Sequence, residues 1–292
     1  MTVDFADIIR RLSRPLAPQP TVEQPRLQQL PGIRAVFFDV YGTMLISGSG
    51  DVGTAMEAKP SNAFVAAMTA VGLEFAESGD IGVGELISTI TEHHERARRN
   101  GVSHPEVGIV EVWRETLETL QRENLIERAG DIDLQQLAVE YEARANPVWP
   151  MPGLEDCLLK LRLAEKRLGI VSNAQFYTPI LFPALLGRDL DALGFQENLR
   201  FFSFHAGRAK PDCYLYELAR NSLAGFGITA TEVVYVGNDM LNDITPAQQV
   251  GFCTALFAGD ARSLRQREAD ERVKGIIPDL VLTDLSQLAD CV

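Results

Sequence analysis

Four short clusters in this chain combine residue types that can do nucleophilic, acid or base chemistry. They are Asp39-Val40-Tyr41-Gly42-Thr43, the pair Ser172-Asn173, Lys210-Pro211, and the run from Gly237 through Asn238 and Asp239 to Asp243. A carboxylate can attack an electrophilic centre and form a covalent ester that water later cleaves, which splits one difficult step into two. Hydroxyl and amide groups can bind oxygens of the transferred group, and a lysine can offset charge on both nucleophile and substrate. A second set of carboxylates can hold a divalent cation or orient water. Singly, each cluster also has a plainer use. Asp39 could cap a turn or helix, Ser172-Asn173 could make a turn, Lys210 could be a solvated surface lysine, and Asp239 and Asp243 could be helix-start carboxylates. Chemistry requires that the clusters meet, so the elements that carry them decide between these uses.

Three of the clusters directly follow a short apolar run: Ala35–Phe38, Leu168–Val171 and Val233–Val236. Similar runs occur at Phe201–Phe204, Cys253–Phe257 and Leu280–Leu282, mostly separated by helical patterns. Short runs buried on both faces, alternating with helices, predict an α/β fold with a doubly wound parallel sheet. Such a sheet binds its ligand beyond the carboxyl ends of its strands, where Asp39, Ser172 and Asn238 fall. Residues 4–12 have helical spacing and are followed by Pro15, Pro18, Pro20, Pro25 and Pro31, so residues 1–33 read as a short helix and an extended linker. Between the first two strands lie about 130 residues, far more than one crossover helix needs. Segments near 61–72, 84–99, 108–127 and 132–146 have helical periodicity, which assigns residues 48–150 to an inserted helical cap and residues 34–47 and 151–292 to the core.

In this order, DVYGT, VSNA, AKPD and VGNDMLND resemble the four motifs of the haloacid dehalogenase superfamily, and the likeness runs from residue 34 to about 290. The insertion resembles the helical cap of that family's first cap class. The resemblance implies that Asp39 is the nucleophile and that Thr43 orients it by hydrogen bonding. It further implies that Ser172 and the backbone near Asn173 bind oxygens of the transferred group, while Lys210 offsets negative charge. By the same analogy Mg²⁺ is held by Asp39, the backbone carbonyl of Tyr41, and Asp243 with Asp239 or Asn238.

Two departures bear on the reaction. The family's phosphatases usually carry, two residues after the nucleophile, a second Asp that protonates the leaving oxygen; here that position is Tyr41. The DxYGT form is similar to the L-2-haloacid dehalogenases, whose halide needs no proton, and Lys210 to Tyr216 repeats their KPxxxxY spacing. In the other direction, VGNDMLNDITPA is closer to the phosphatase form of the fourth motif, with Asn238 replacing its first Asp. The cap arginine of the dehalogenases has no secure counterpart, Arg96, Arg98, Arg99 and Arg114 being the candidates. These points weigh narrowly towards a Mg²⁺-dependent, phosphatase-like hydrolase of a small anionic substrate. A metal-independent 2-haloacid dehalogenase is the alternative, and a catalytically silent ligand-binding member is a third.

Composition sets the outer limits. The 292 residues are 46% hydrophobic and 23% charged, as in ordinary globular domains. With 27 Lys and Arg against 40 Asp and Glu, the formal charge of -13 repels nucleic acid and anionic membranes. No apolar run approaches membrane-spanning length. Cys157, Cys213, Cys253 and Cys291 form no CxxC pair and read as reduced thiols, which with the lack of a secretory pattern makes the cytoplasm the expected location. Gly48 to Gly53 matches GxGxxG, but it lies nine positions beyond Asp39 without helical periodicity, so a hinge into the cap is the better reading than a dinucleotide loop. His93-His94-Glu95 lacks HExxH spacing and suits a surface or cap interface, and His205 follows the third strand without a defined role.

Overall fold

All four residues of β1 (Ala35–Phe38) are buried, as an interior strand covered on both faces requires. It follows helix α1 (Phe5–Leu12) and leads into β2 (Leu45–Ser47). Four helices come next, α2 (Lys59–Ala70), α3 (Gly79–Arg99), α4 (Ile109–Arg122) and α5 (Leu134–Ala145), and then β3 (Val148–Pro150). The chain continues through α6 (Leu154–Leu163), β4 (Arg167–Ser172), α7 (Thr178–Leu186), α8 (Leu190–Leu193), β5 (Phe195–Phe202) and α9 (Ser203–Ala206). It ends with α10 (Tyr214–Ala224), β6 (Val233–Gly237), α11 (Thr245–Gln249), β7 (Cys253–Phe257) and β8 (Leu280–Leu282). Residues 3–48, 59–127 and 132–292 are described in this computed structural model, so residues 49–53 of the glycine-rich match lie outside the described residues.

Six strands pair in parallel in the order β5-β4-β1-β6-β7-β8. The chain builds from β1 to one side through β4 and β5, then to the other through β6, β7 and β8. Strand order therefore reverses at β1, and the crevice beyond its carboxyl end is where an open α/β sheet holds its ligand. Period-two alternation serves both faces. Val36, Phe38, Val234 and Val236 join the core shared with α6 and α7, while Ala35, Phe37, Val233 and Tyr235 pack beneath α10 and α11. The doubly wound α/β core expected from the apolar runs is thus present.

The chain leaves and re-enters the sheet unit through an antiparallel pair, β2 and β3, with Ile46 opposite Trp149. The helices between them have their own aromatic centre. Trp113 is fully buried, its ring centroid 5.6 Å from Phe64 and 5.3 Å from Tyr141. Helix α3 starts at Gly79, five residues before the expected 84, and Ser78 caps it by accepting from the Asp80 amide. The early glycines hid this start because they weaken helical propensity. Packing explains them: a Cβ on Gly82 would fall 2.1 Å from the Phe64 ring. The expected third strand, 201–204, is shifted, since β5 ends at Phe202 and Ser203 opens the one-turn α9, where its hydroxyl accepts from the Ala174 amide at 2.9 Å. No helix among the described residues is long and apolar enough to cross a membrane, and the four cysteines are free thiols.

Trp113 lends itself to a stability test because its indole N–H is buried without a hydrogen-bond partner among the described residues. Trp113→Ala should lower the unfolding free energy by about 3–5 kcal/mol. Trp113→Phe should cost much less, since it removes an unsatisfied donor along with the volume. Chemical denaturation of both variants checks this, and equal losses would refute the packing account.

Candidate active site

Asp39 is delivered to the centre of the sheet's carboxyl edge because β1 ends there, and its amide donates to Val236 O at 2.9 Å across the gap to β6. The Lys210 ammonium lies between two carboxylates, donating to Asp39 Oδ1 at 2.7 Å and to Asp243 Oδ1 at 2.6 Å. A third bond runs from Lys210 Nζ to Tyr235 OH at 3.3 Å, and that phenol shares its single proton between Val171 O at 2.8 Å and Asp243 Oδ1 at 3.0 Å. Lys210, Asp39 and Asp243 are all buried. Burial by itself would lower the lysine's pKa, yet the two carboxylates outweigh it and hold it above its ordinary value. Burial pushes Asp243 up, against the opposing pull of Lys210.

Local sequence explains how these groups meet. Asn173, just after β4, clamps the lysine's backbone: Lys210 N donates to Asn173 Oδ1 at 2.7 Å, and Asn173 Nδ2 donates to Lys210 O at 3.4 Å. After β6 the chain makes a wide turn of π type over Met240–Ile244, which brings Asp243 back beneath Gly237. A Cβ at Gly237 would lie 2.4 Å from the Asp243 carboxyl carbon, so only glycine leaves room for the returning carboxylate. Its Oδ2 accepts from Asp239 N at 2.9 Å. Tyr216, at the end of the KPxxxxY spacing, is buried and donates to Asn242 O at 2.8 Å, supporting the same turn.

Several expected roles are redistributed. The Thr43 hydroxyl donates to Asn238 Oδ1 at 3.1 Å rather than to Asp39, and Asn238 Nδ2 donates to Ser263 O at 2.6 Å. Asp239 is taken by Arg267, whose Nη2 donates at 2.6 Å, and by the Leu241 and Asn242 amides at 2.8 and 3.1 Å, so it is a helix cap and ion-pair partner. Ser172 is fully buried and donates to Asn173 O at 3.2 Å, whereas Asn173 lines the cavity beside Asp39. Tyr41 OH is hydrogen-bonded to Thr178 Oγ1 at 2.9 Å, and burial pushes its pKa up, so the phenol keeps its proton.

Asp39 opens into a cavity of about 240 Å³ bounded by Tyr41, Asn173, Lys210 and Asp243 of the sheet unit and by His94, Pro105 and Glu106 of the inserted helices and their loops. Glu106 and His94 are cavity residues that the motifs did not predict. Burial raises the Glu106 pKa, and its carboxyl accepts from Ser203 Oγ at 2.6 Å, Val107 N at 2.9 Å and Gln175 Nε2 at 3.1 Å. Burial lowers the His94 pKa, favouring neutral imidazole. None of the four candidate arginines lines this cavity, and three are paired near the surface: Arg96 with Glu115, Arg99 with Glu95 and Arg114 with Glu111. The arginine on the cavity wall is Arg265, carried by the loop after β7 and fixed through its amide to Asn238 O at 2.9 Å. His93 pairs with Glu115, and His205 stacks on Phe204 away from the cavity.

The donors expected to hold Mg²⁺ do not fit a divalent ion in this arrangement. Both Asp243 oxygens are engaged by Lys210, Tyr235 and the Asp239 amide, Asp239 is engaged by Arg267, and Asn238 Oδ1 by Thr43. Asp39 Oδ2 and the Tyr41 carbonyl remain, fewer than the oxygen set such ions take. Among the described residues no group of three or more His, Cys, Asp or Glu is arranged to hold a metal.

The sequence matches the model of the haloacid dehalogenase-like hydrolases over residues 33–251. Among solved structures, a 2-haloacid dehalogenase from Pseudomonas syringae pv. tomato DC3000 is 20% identical, with 89% of this chain and 97% of that chain covered and a TM-score of 0.52. A HAD phosphatase from Thermococcus onnurineus is 18% identical, with 88% and 97% covered and a TM-score of 0.51. At these identities the likeness is one of fold. No curated protein matches the chain in sequence.

Lys210→Met tests whether charge holds the cluster together. It would leave Asp39 and Asp243 buried without a cation, a loss of about 3–5 kcal/mol at neutral pH. Asp243, which burial already pushes up, would then bind its proton still more tightly folded than unfolded, so the variant's stability is kept in acid and lost as pH rises. Denaturation midpoints of parent and variant should therefore converge as pH falls from about 8 to about 5. A deficit independent of pH would mean that Lys210 acts by packing alone.

Proposed function

The chain belongs to the haloacid dehalogenase-like hydrolases, and we propose that within this family it cleaves a carbon–halogen bond of a small 2-haloacid through an ester on Asp39, without a metal ion. One observation carries the reading: Lys210 Nζ, 2.7 Å from Asp39 and 2.6 Å from Asp243, supplies the positive charge between the two carboxylates. Asp39 Oδ1 accepts from the lysine, which leaves Oδ2 to attack. As the C–O bond forms the C–X bond breaks, and halide departs with the bonding pair. Water then adds to the Asp39 carboxyl carbon, the Lys210 ammonium stabilises the oxyanion, and collapse releases a 2-hydroxy acid, one proton and free Asp39.

Tyr41 favours such a leaving group. Its hydroxyl is held by Thr178, and its raised pKa makes it a poor proton donor, whereas halide needs none. Charge balance points the same way. Asp39, Asp239 and Asp243 are offset by Lys210, Arg267 and Arg265. That balance suits a monoanionic acid better than a phosphate dianion. The fourth motif points instead to Mg²⁺-dependent phosphatase chemistry, and one observation supports it: Asp39 Oδ2 and the Tyr41 carbonyl have no hydrogen-bond partner among the described residues. The helical insertion would serve as a cap that excludes bulk water from a small anionic substrate.

Purified protein should release halide from 2-chloropropionate in the presence of chelator, and Asp39→Asn should abolish release. In heavy-oxygen water a single turnover should place the label on Asp39 before it reaches the product. Hydrolysis of an aryl phosphate that needs added Mg²⁺, with no halide released from the acid, would overturn this reading in favour of the phosphatase.

A further inference from the structure

Helix α1 belongs neither to the sheet nor to the inserted helices, and it touches both. Ile8 and Ile9 are buried, the latter 2% exposed, in the core shared with α5 and α7. On one side Arg11 Nη2 donates to Glu140 of α5 at 3.1 Å, where Glu140 is itself only 2% exposed. On the other side the Phe5 ring meets Phe176, just before α7, edge-on at 6.2 Å. Asp4 caps the helix by accepting from Ala6 N at 2.9 Å.

The linker behind α1 is fastened along the far side of the sheet. Arg262 Nη2 donates to Ala17 O at 2.5 Å, Gln19 N to Asp260 Oδ1 at 3.0 Å, and Thr21 Oγ1 to Ala258 O at 2.7 Å. Arg26 pairs antiparallel with Val281 of β8, and Leu30 N donates to Cys291 O at 2.7 Å. These residues precede the stretch matched by the family model. The segment is thus a tether, anchored to the sheet unit along its length and ending on the insertion.

Its endpoint bears on the site. Ile9 and Ser13 line a small cavity of about 10 Å³ whose other walls include Glu142 and Asn146 at the end of α5 and Tyr177 beside α7. Tyr41 lines this cavity and the cavity around Asp39 alike, so it links the two. The covalent neck, β2 with β3, has three residues per strand, and so short a ribbon does not set a domain angle by itself. Away from the neck, Ala209 N donates to His104 O at 2.8 Å and Glu106 N to Gly207 O at 3.2 Å. An eight-residue helix is not stable alone, so α1 is ordered only where α5 and α7 flank it together. By linkage, its docking stabilises that one arrangement of insertion and sheet.

We propose that α1 is a strap that fixes the inserted helices against the sheet unit beside Tyr41, and so limits the site to short-chain acids. The substrate class rests on the proposed dehalogenase reading; the strap itself does not. Hydrogen exchange of the full-length protein tests the strap, comparing the parent with Ile9→Ala and with Arg11→Ala, which leaves the core intact. Amides of α5 and of residues 104–109 should exchange about tenfold faster in Ile9→Ala and less so in Arg11→Ala, with β1 and β6 unchanged. Faster exchange confined to α1 would overturn the strap. In turnover, kcat/KM for 2-bromooctanoate relative to 2-bromopropionate should rise about tenfold in Ile9→Ala; an unchanged ratio would remove α1 from substrate selection. If the parent releases no halide from either acid, the reaction assignment and the size limit fail together, and the exchange result still decides the strap.

Discussion

A single ammonium between two buried carboxylates organises this molecule. Three charged groups have been taken out of water, and in that environment none is tolerable without the others. The surrounding structure can be understood as what keeps them together. Asp39 comes from β1, Asp243 from the turn after β6 and Lys210 from the loop before α10, so three separate segments must register to within hydrogen-bond distance. Asn173 holds the lysine through its backbone, leaving the ammonium to the carboxylates, and Tyr235 supplies a further hydroxyl from within the sheet. A half-satisfied network of this kind would be worse than an apolar core.

That constraint also explains which parts of the site were legible in the sequence. Strand ends were readable because a fully buried strand leaves an apolar run such as Ala35–Phe38, and a polar cluster directly after it stands out. Tyr235 was not. In Val-Val-Tyr-Val it looks like one more core residue, and only the fold shows that its hydroxyl reaches the lysine and Asp243. Arg267 and Glu106 were hidden for a related reason. Their partners, Asp239 for the first and Ser203 and Gln175 for the second, lie 28, 97 and 69 residues away, with no local spacing to link them. Thr43 shows the converse, since its place in the motif was legible but its hydrogen-bond partner, Asn238, was not.

The hydrogen-bonding of Asn238 clarifies why an amide can stand where a carboxylate was expected. Thr43 donates to its oxygen and its nitrogen donates to the Ser263 carbonyl, so both ends of the side chain are used. A carboxylate there would face the Ser263 carbonyl, acceptor against acceptor, and would add negative charge beside Asp39, Asp239 and Asp243. Asn and Tyr41 thus change the site in a consistent direction: one removes a charge, and the other replaces an acid with a neutral phenol. Both changes suit the proposed departure of halide, which needs no proton.

Polar contacts join the insertion to the sheet unit beside this site. Gln175 donates to Glu106 and to the Val107 carbonyl and accepts from Ile109 N, while Ser203 donates to Glu106 from the other side. Apolar contact alone is non-directional and would allow the helices to slide over the sheet edge. Hydrogen bonds to a buried carboxyl are satisfied in one pose and leave unpaired groups in others, so they select an orientation as well as a contact. Helix α1 adds the complementary restraint near the neck, where apolar packing of Ile8 and Ile9 combines with the Arg11–Glu140 pair. The insertion is therefore held to the sheet unit by directional bonds beside the Asp39 cavity and by packing on α1, with Tyr41 lining the cavities at both places.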